Sequence, residues 1–85
     1  RQKLSIGQEE ISLTALEFKI MATFMKAPGK VFERRELVEE AGKDSSAMIS
    51  RTIDVHINSI RKKIKPYSHL IETVYGSGYR LQEQT

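Results

Sequence analysis

Hydrophobic positions along the chain change period twice. In "KLSIGQEEISLT" (residues 3–14), Leu4, Ile6, Ile11 and Leu13 alternate with polar neighbours around "GQEE", which predicts a short antiparallel hairpin. The pattern then becomes helical. Thr14 and Glu17 form a T-x-x-E capping box, in which the hydroxyl accepts from a backbone amide and the carboxylate reaches back to the cap's own N–H. A helix therefore starts near residue 15. Its broad apolar stripe of Phe18, Met21 and Met25, with Ile20 and Phe24 beside them, is expected to be core, and "PG" at 28–29 ends it. A second, shorter helix is expected from Arg34 to Ala41, burying Leu37, Val38 and Ala41, with Gly42 to end it. "GKDSSAMIS" reads as a loop rich in small and polar residues. A third helix follows, with Ser50 as N-cap and Arg51 as its first committed residue, until Pro66 forbids continuation. Finally "LIETVYGSGYRLQ" reads as strand, Gly-Ser-Gly turn and strand.

The third helix carries the information about function. At about 100° per residue, Ile53, Ile57, Ile60 and Ile64 share one narrow sector, which must be the buried face. The opposite side then shows Arg51, Val55, Asn58, Ser59 and Lys62. Thr52 and Lys63 flank it on one edge, Asp54 and Arg61 on the other, and His56 lies closer to the buried edge. A helix serving only solubility would show Glu/Lys pairs and little Val or Ser. A strip mixing cations, an amide, a hydroxyl and a small apolar group suits the DNA major groove: cations displace counterions from phosphates, while the other groups discriminate base edges. In a helix-turn-helix it is the second helix of the pair that enters the groove. The final hairpin would then be a wing over the backbone or minor groove. Tyr79 can equally contact DNA or pack against the third helix.

Charge agrees with this placement. Residues 1–50 hold eight Lys/Arg and eight Asp/Glu, whereas residues 51–85 hold six and three, so the whole net charge of +3 lies in the second part. The remaining bulk properties mainly exclude. Eighty-five residues make one domain around one core, with no second domain to form a cleft. No apolar run approaches membrane-spanning length. Without cysteine there is neither a disulfide framework nor a thiolate metal site, which fits a cytoplasmic setting. His56 and His69 lack metal-site spacing, and no cofactor is expected. Asp54 and His56, two residues apart on a helix, point about 200° apart and cannot share a proton, so a hydrolytic triad is excluded and no enzymatic activity is expected. "RQKLSIG" has no initiator Met or leader and reads as part of a longer protein.

Four stretches in order, "LTALEFKIM", "PGKVFERRELV", "RTIDVHINSIRKKI" and "IETVYGSGYRL", resemble the winged-helix effector domain of bacterial OmpR/PhoB-type two-component response regulators over residues 13–81. The resemblance implies an α+β winged helix-turn-helix: short N-terminal antiparallel strands, three helices and a C-terminal β-hairpin wing. It implies sequence-specific binding to double-stranded promoter DNA and transcription regulation, by a domain that is monomeric alone and usually a head-to-tail dimer on direct repeats. Phosphate contacts would fall to Arg51, Thr52, His56, Asn58, Arg61 and Tyr79. Base contacts would fall to Val55 and Ser59, with Lys62 on the same strip, and wing contacts to Thr73, Tyr75 and Arg80. The loop at 42–49 would be available to RNA polymerase, and a phosphorylatable receiver domain would precede residue 1. Some positions depart from the family pattern: Ala41 and Gly42 stand where a tryptophan is common, Tyr75 where the wing often has arginine, and Ser59 where some members have a base-reading arginine. Two alternatives to this reading are a winged-helix protein-interaction module and the DNA-binding domain of a membrane-anchored regulator without a receiver.

Overall fold

The computed structural model describes residues 2–6, 8–41 and 50–83, and of Gln2, Ser50, Arg51 and Thr52 the backbone alone. Strands β1 (Gln2–Ile6) and β2 (Glu9–Leu13) pair antiparallel with Leu4 opposite Ile11. Helix α1 (Ala15–Lys26) begins at the expected capping box: the Glu17 amide donates to Thr14 Oγ1 at 3.1 Å, and the Thr14 amide donates to Glu17 Oε1 at 2.9 Å. Helices α2 (Arg34–Ala41) and α3 (Ser50–Lys63) follow. A short 3-10 turn (Ser68–Leu70) leads into the hairpin of β3 (Ile71–Val74) and β4 (Gly78–Leu81), paired antiparallel with Thr73 opposite Tyr79. The element order is the expected one, although α3 begins one residue earlier. The expected loop at 42–49, with Gly42 as helix terminator, lies outside the described residues.

All elements meet in one apolar cluster. Ile53, Ile57, Ile60 and Ile64 are fully buried, packed with Leu4, Leu13, Ile20, Phe24, Leu37 and Ile71. Phe24 and Phe32 meet edge to face, with ring centroids 5.9 Å apart. The third helix is therefore rooted as its periodicity requires. Helix α1 is rotated relative to expectation. Its buried face centres on Ile20 and Phe24 and includes Glu17, so Met25, one residue and about 100° further round, is 52% exposed and not core. Phe18 and Val38 are only partly buried against the cluster.

Phe32, in the α1–α2 connection, adds a third rung beside the wing. Its amide donates to the Tyr79 carbonyl at 2.7 Å, and its carbonyl accepts from the Tyr79 amide at 3.0 Å. Gly78 permits this approach. Its φ is +139°, and a Cβ there would stand 2.0 Å from the Phe32 carbonyl oxygen. Gly78 therefore belongs to β4 and not to the turn. The turn is closed by the Ser77 amide on the Val74 carbonyl at 2.9 Å, with Gly76 at φ +83°, the left-handed value required at the third position of a type II turn.

Candidate nucleic-acid interface

The isoleucine face turns a strip of α3 outward. Val55 is 66% exposed, and Asn58 and Lys62 are exposed beside it, as the wheel requires. The backbone of Arg51 and Thr52 lies in the first turn of α3, while their side chains lie outside the described residues. His56 is half-buried, consistent with its position near the core edge.

One flank of α3 faces the wing. Arg61 donates from Nη2 to the Ile71 carbonyl at 2.7 Å and to Thr73 Oγ1 at 2.9 Å, and from Nε to the same carbonyl at 3.2 Å. Asp54 accepts from Arg34 Nε at 2.9 Å and from the Tyr79 hydroxyl. Tyr79 is only 5% exposed, and two guanidinium groups approach its ring, Arg34 at 5.5 Å and Arg61 at 5.7 Å from the ring centroid. Of the two roles open to this tyrosine, packing is the one seen. Its hydroxyl is already donated, so a phosphate contact would first have to release it. Burial, then the neighbouring Asp54 carboxylate, push the phenol up from its usual value. The Tyr79 hydroxyl, with help from Arg34 and against burial, holds the Asp54 carboxyl below its usual value. Arg61 and Thr73, expected to meet DNA independently, are thus joined to each other.

The other flank faces α1. Glu17, 3% exposed, accepts from Ser59 Oγ at 2.6 Å and from Lys63 Nζ at 2.7 Å, besides the Thr14 amide. Burial pushes this carboxyl up, but the hydrogen bonds from Lys63, Ser59 and Thr14 and the charge of Lys63 outweigh it, lowering the carboxyl from 4.5 to about 2. Ser59 is therefore half-buried and bonded inward. It is not a free hydroxyl at the middle of the strip.

On the wing, Tyr75 stands at the turn and is 92% exposed. Arg80 pairs across the strands with Glu72 at 2.6 Å, on the face opposite Tyr79, so its charge is balanced locally. Sequence reasoning missed Arg34 and Asp54 as organisers of this site and read Glu17 only as a cap. One signal was present: Asp54 is the lone acid on a helix of cations, and such a charge needs a partner.

Among the described residues, three helices with a C-terminal hairpin against the third, and an exposed strip of Val55, Asn58 and Lys62 on that helix, define a winged-helix DNA-binding domain. The chain belongs to the family of transcriptional regulatory protein C-terminal domains, the output domain of OmpR/PhoB-type response regulators, whose model matches residues 7–81. Among curated relatives, the phosphate regulon transcriptional regulatory protein PhoB of Escherichia coli K12 is 34% identical over 80 residues, covering 92% of this chain and 35% of PhoB. The virulence transcriptional regulatory protein PhoP of Salmonella typhimurium LT2 is 42% identical over 81 residues, 93% of this chain and 36% of PhoP. The chain thus spans about a third of the length of these relatives. Among solved structures, the DNA-binding domain of the response regulator AdeR, crystallised with an intercistronic region, superposes with a TM-score of 0.83 at 32% identity, covering 96% of this chain and 86% of that one. The family is one of transcription regulators and not of enzymes. No described helix is long and apolar enough to cross a membrane.

Proposed function

We propose that this domain binds promoter DNA with α3 in the major groove and the β3–β4 hairpin along the adjacent backbone. The observation that carries the reading is the exposure of Val55 among Asn58 and Lys62, on a helix whose other side is closed by four isoleucines. An exposed valine flanked by an amide and a cation can pack on a thymine methyl while its neighbours meet base edges or phosphate. Val55, Ser59 and Lys62 face bases, while Arg51, Thr52, His56 and Asn58 contact phosphates. Arg61 and Tyr79 act chiefly by fixing the wing to α3, so that Thr73, Arg80 and the exposed Tyr75 ring meet the neighbouring backbone or minor groove. Tyr75 would contribute stacking or its hydroxyl in place of a cation.

As in its relatives, named as transcriptional regulators, the parent protein would regulate transcription in the cytoplasm. A receiver domain preceding residue 1 would control head-to-tail pairing on direct repeats, and the segment 42–49 would be free to meet RNA polymerase. Selection of bound sites from random duplexes tests the core of this reading. Repeated half-sites about one helical turn apart are expected. Lys62→Ala should weaken binding and make its salt dependence shallower by about one unit if it reaches phosphate, or change base preference if it reaches a base edge. No enriched sequence, with Lys62→Ala binding unchanged, would refute it.

A further inference from the structure

Ser59 stands at the border between the exposed strip and the flank held by α1. It lies one turn beyond Val55, and four residues advance a helix by about 400°, so the two side chains diverge by only about 40°. Its hydroxyl proton is already placed, donated to Glu17 Oε2 at 2.6 Å, the short length expected for a hydroxyl on an ionised carboxylate. The carboxylate has no proton to return, since its other oxygen accepts from Lys63 Nζ and the Thr14 amide. A serine hydroxyl has one proton and two lone pairs. What it can still offer outward is therefore an acceptor.

We propose that Glu17, acting through Ser59, is a positioning residue for sequence specificity: it makes the Ser59 hydroxyl an obligate acceptor, which selects adenine or cytosine on the strand beneath it. The inference rests on the placement of α3 in the major groove given above. There adenine presents an N6 amino donor and cytosine an N4 amino donor, whereas guanine and thymine present acceptors and no donor. A free serine can serve either kind of base, because its proton turns to suit. Glu17 is buried beneath Ser59 and meets no base itself. Its bonds to Lys63 and Thr14 keep it charged and in place, so that the proton on Ser59 stays turned inward.

The test selects bound sites from random duplexes with the 85-residue protein, with Ser59→Ala and with Glu17→Gln, each checked for folding by thermal melting. The protein should enrich adenine or cytosine at one position of each half-site by roughly fivefold to tenfold. Ser59→Ala should flatten that position alone, with the salt dependence of binding unchanged. Glu17→Gln can turn an amide N–H toward Ser59 and release the hydroxyl proton, so it should admit guanine or thymine there. Should Glu17→Gln not fold, duplexes in which the selected base has its amino group deleted, or replaced by oxygen, decide the matter: the protein should bind both less well, the oxygen form worst, and Ser59→Ala should not tell them apart. Guanine or thymine enriched beneath Ser59, a Ser59→Ala profile identical to the parent's, or equal binding of the amino and oxygen forms would overturn the proposal. An absence of any enriched position with all three proteins would overturn the groove placement itself, and the proposal with it.

Discussion

The two flanks of α3 are held by different means. On the wing side, Asp54 and Arg61 make polar bonds to a two-stranded ribbon, through a tyrosine ring, a threonine hydroxyl and a backbone carbonyl. On the α1 side, Ser59 and Lys63 converge on one buried carboxylate that also caps a helix. The first arrangement ties together parts that a four-residue-per-strand hairpin could not hold alone, since an isolated two-stranded ribbon is marginal in water. The second fixes the rotation of α3 against the body of the domain through a carboxylate that is itself buried, with Ser59 and Lys63 at the edge of solvent. One flank therefore governs where the wing lies, and the other governs how the reading face is turned.

The spine between the flanks sets the scale. Ile57 is fully buried, so Ile57→Ala should cost roughly 2 to 5 kcal/mol in denaturant unfolding and weaken both flanks together. Parent-like stability would mean that the two flanks, and not the isoleucine face, hold the helix.

The α1 flank should be the acid-sensitive one. Glu17 is lowered in the fold from 4.5 to about 2, so its contribution is complete above the unfolded value and is lost as pH falls through the folded one. Stability should decline from about pH 4.5 toward pH 2 by about 3 kcal/mol on this account. In Glu17→Gln that part of the decline should vanish, leaving a smaller dependence from the other carboxylates. A Glu17→Gln curve parallel to the parent's in this window would show that the carboxylate is not held as described.

How much of this was legible in the sequence follows the kind of force involved. The isoleucine face, the capping box and the two hairpins are written as periodicity and local chemistry within a few residues, and each formed where expected. Met25 was misplaced because the apolar stripe of α1 is wide, and only packing decides its centre. The flank partners were not legible. Ser59 and Glu17 are separated by 42 positions, and Asp54 and Tyr79 by 25. Nothing local distinguishes a serine that will meet a buried carboxylate from one left in water. The Phe32 rung beside β4 was likewise hidden, since one residue in a connection carries no period. Gly78 was visible as a turn glycine, but its role at the close backbone approach was not.

Gly78→Ala isolates the wing flank. The added methyl meets the Phe32 carbonyl at 2.0 Å, and the backbone is at a positive φ. The clash can be relieved by peeling β4 from Phe32, which caps the cost at about 2 to 3 kcal/mol. Amide exchange should quicken at Phe32 and Tyr79, while Ser59 and the first turn of α1 stay protected. Uniform loss of protection would mean that the two flanks are one cooperative unit.

The smallest effect sharpens the contrast most. Tyr79→Phe keeps the ring beside Arg34 and Arg61 and removes only the hydroxyl given to Asp54. Asp54 keeps Arg34 and is partly open to water, so the loss should be about 1 kcal/mol, below the range usual for a bond to a charged group. Because that hydroxyl is the main influence lowering the Asp54 carboxyl, its removal should let the carboxyl rise toward the usual aspartate value, which a carbon-detected NMR titration can follow. The sign is fixed: a carboxyl lowered in the fold contributes stability above its unfolded value and loses it as pH falls, so Tyr79→Phe should make the wing flank less acid-sensitive. Glu17, on the far side of α3, should titrate unchanged. If Glu17 shifted as well, the two flanks would be communicating through the helix, and the division between placing the wing and turning the reading face would fail.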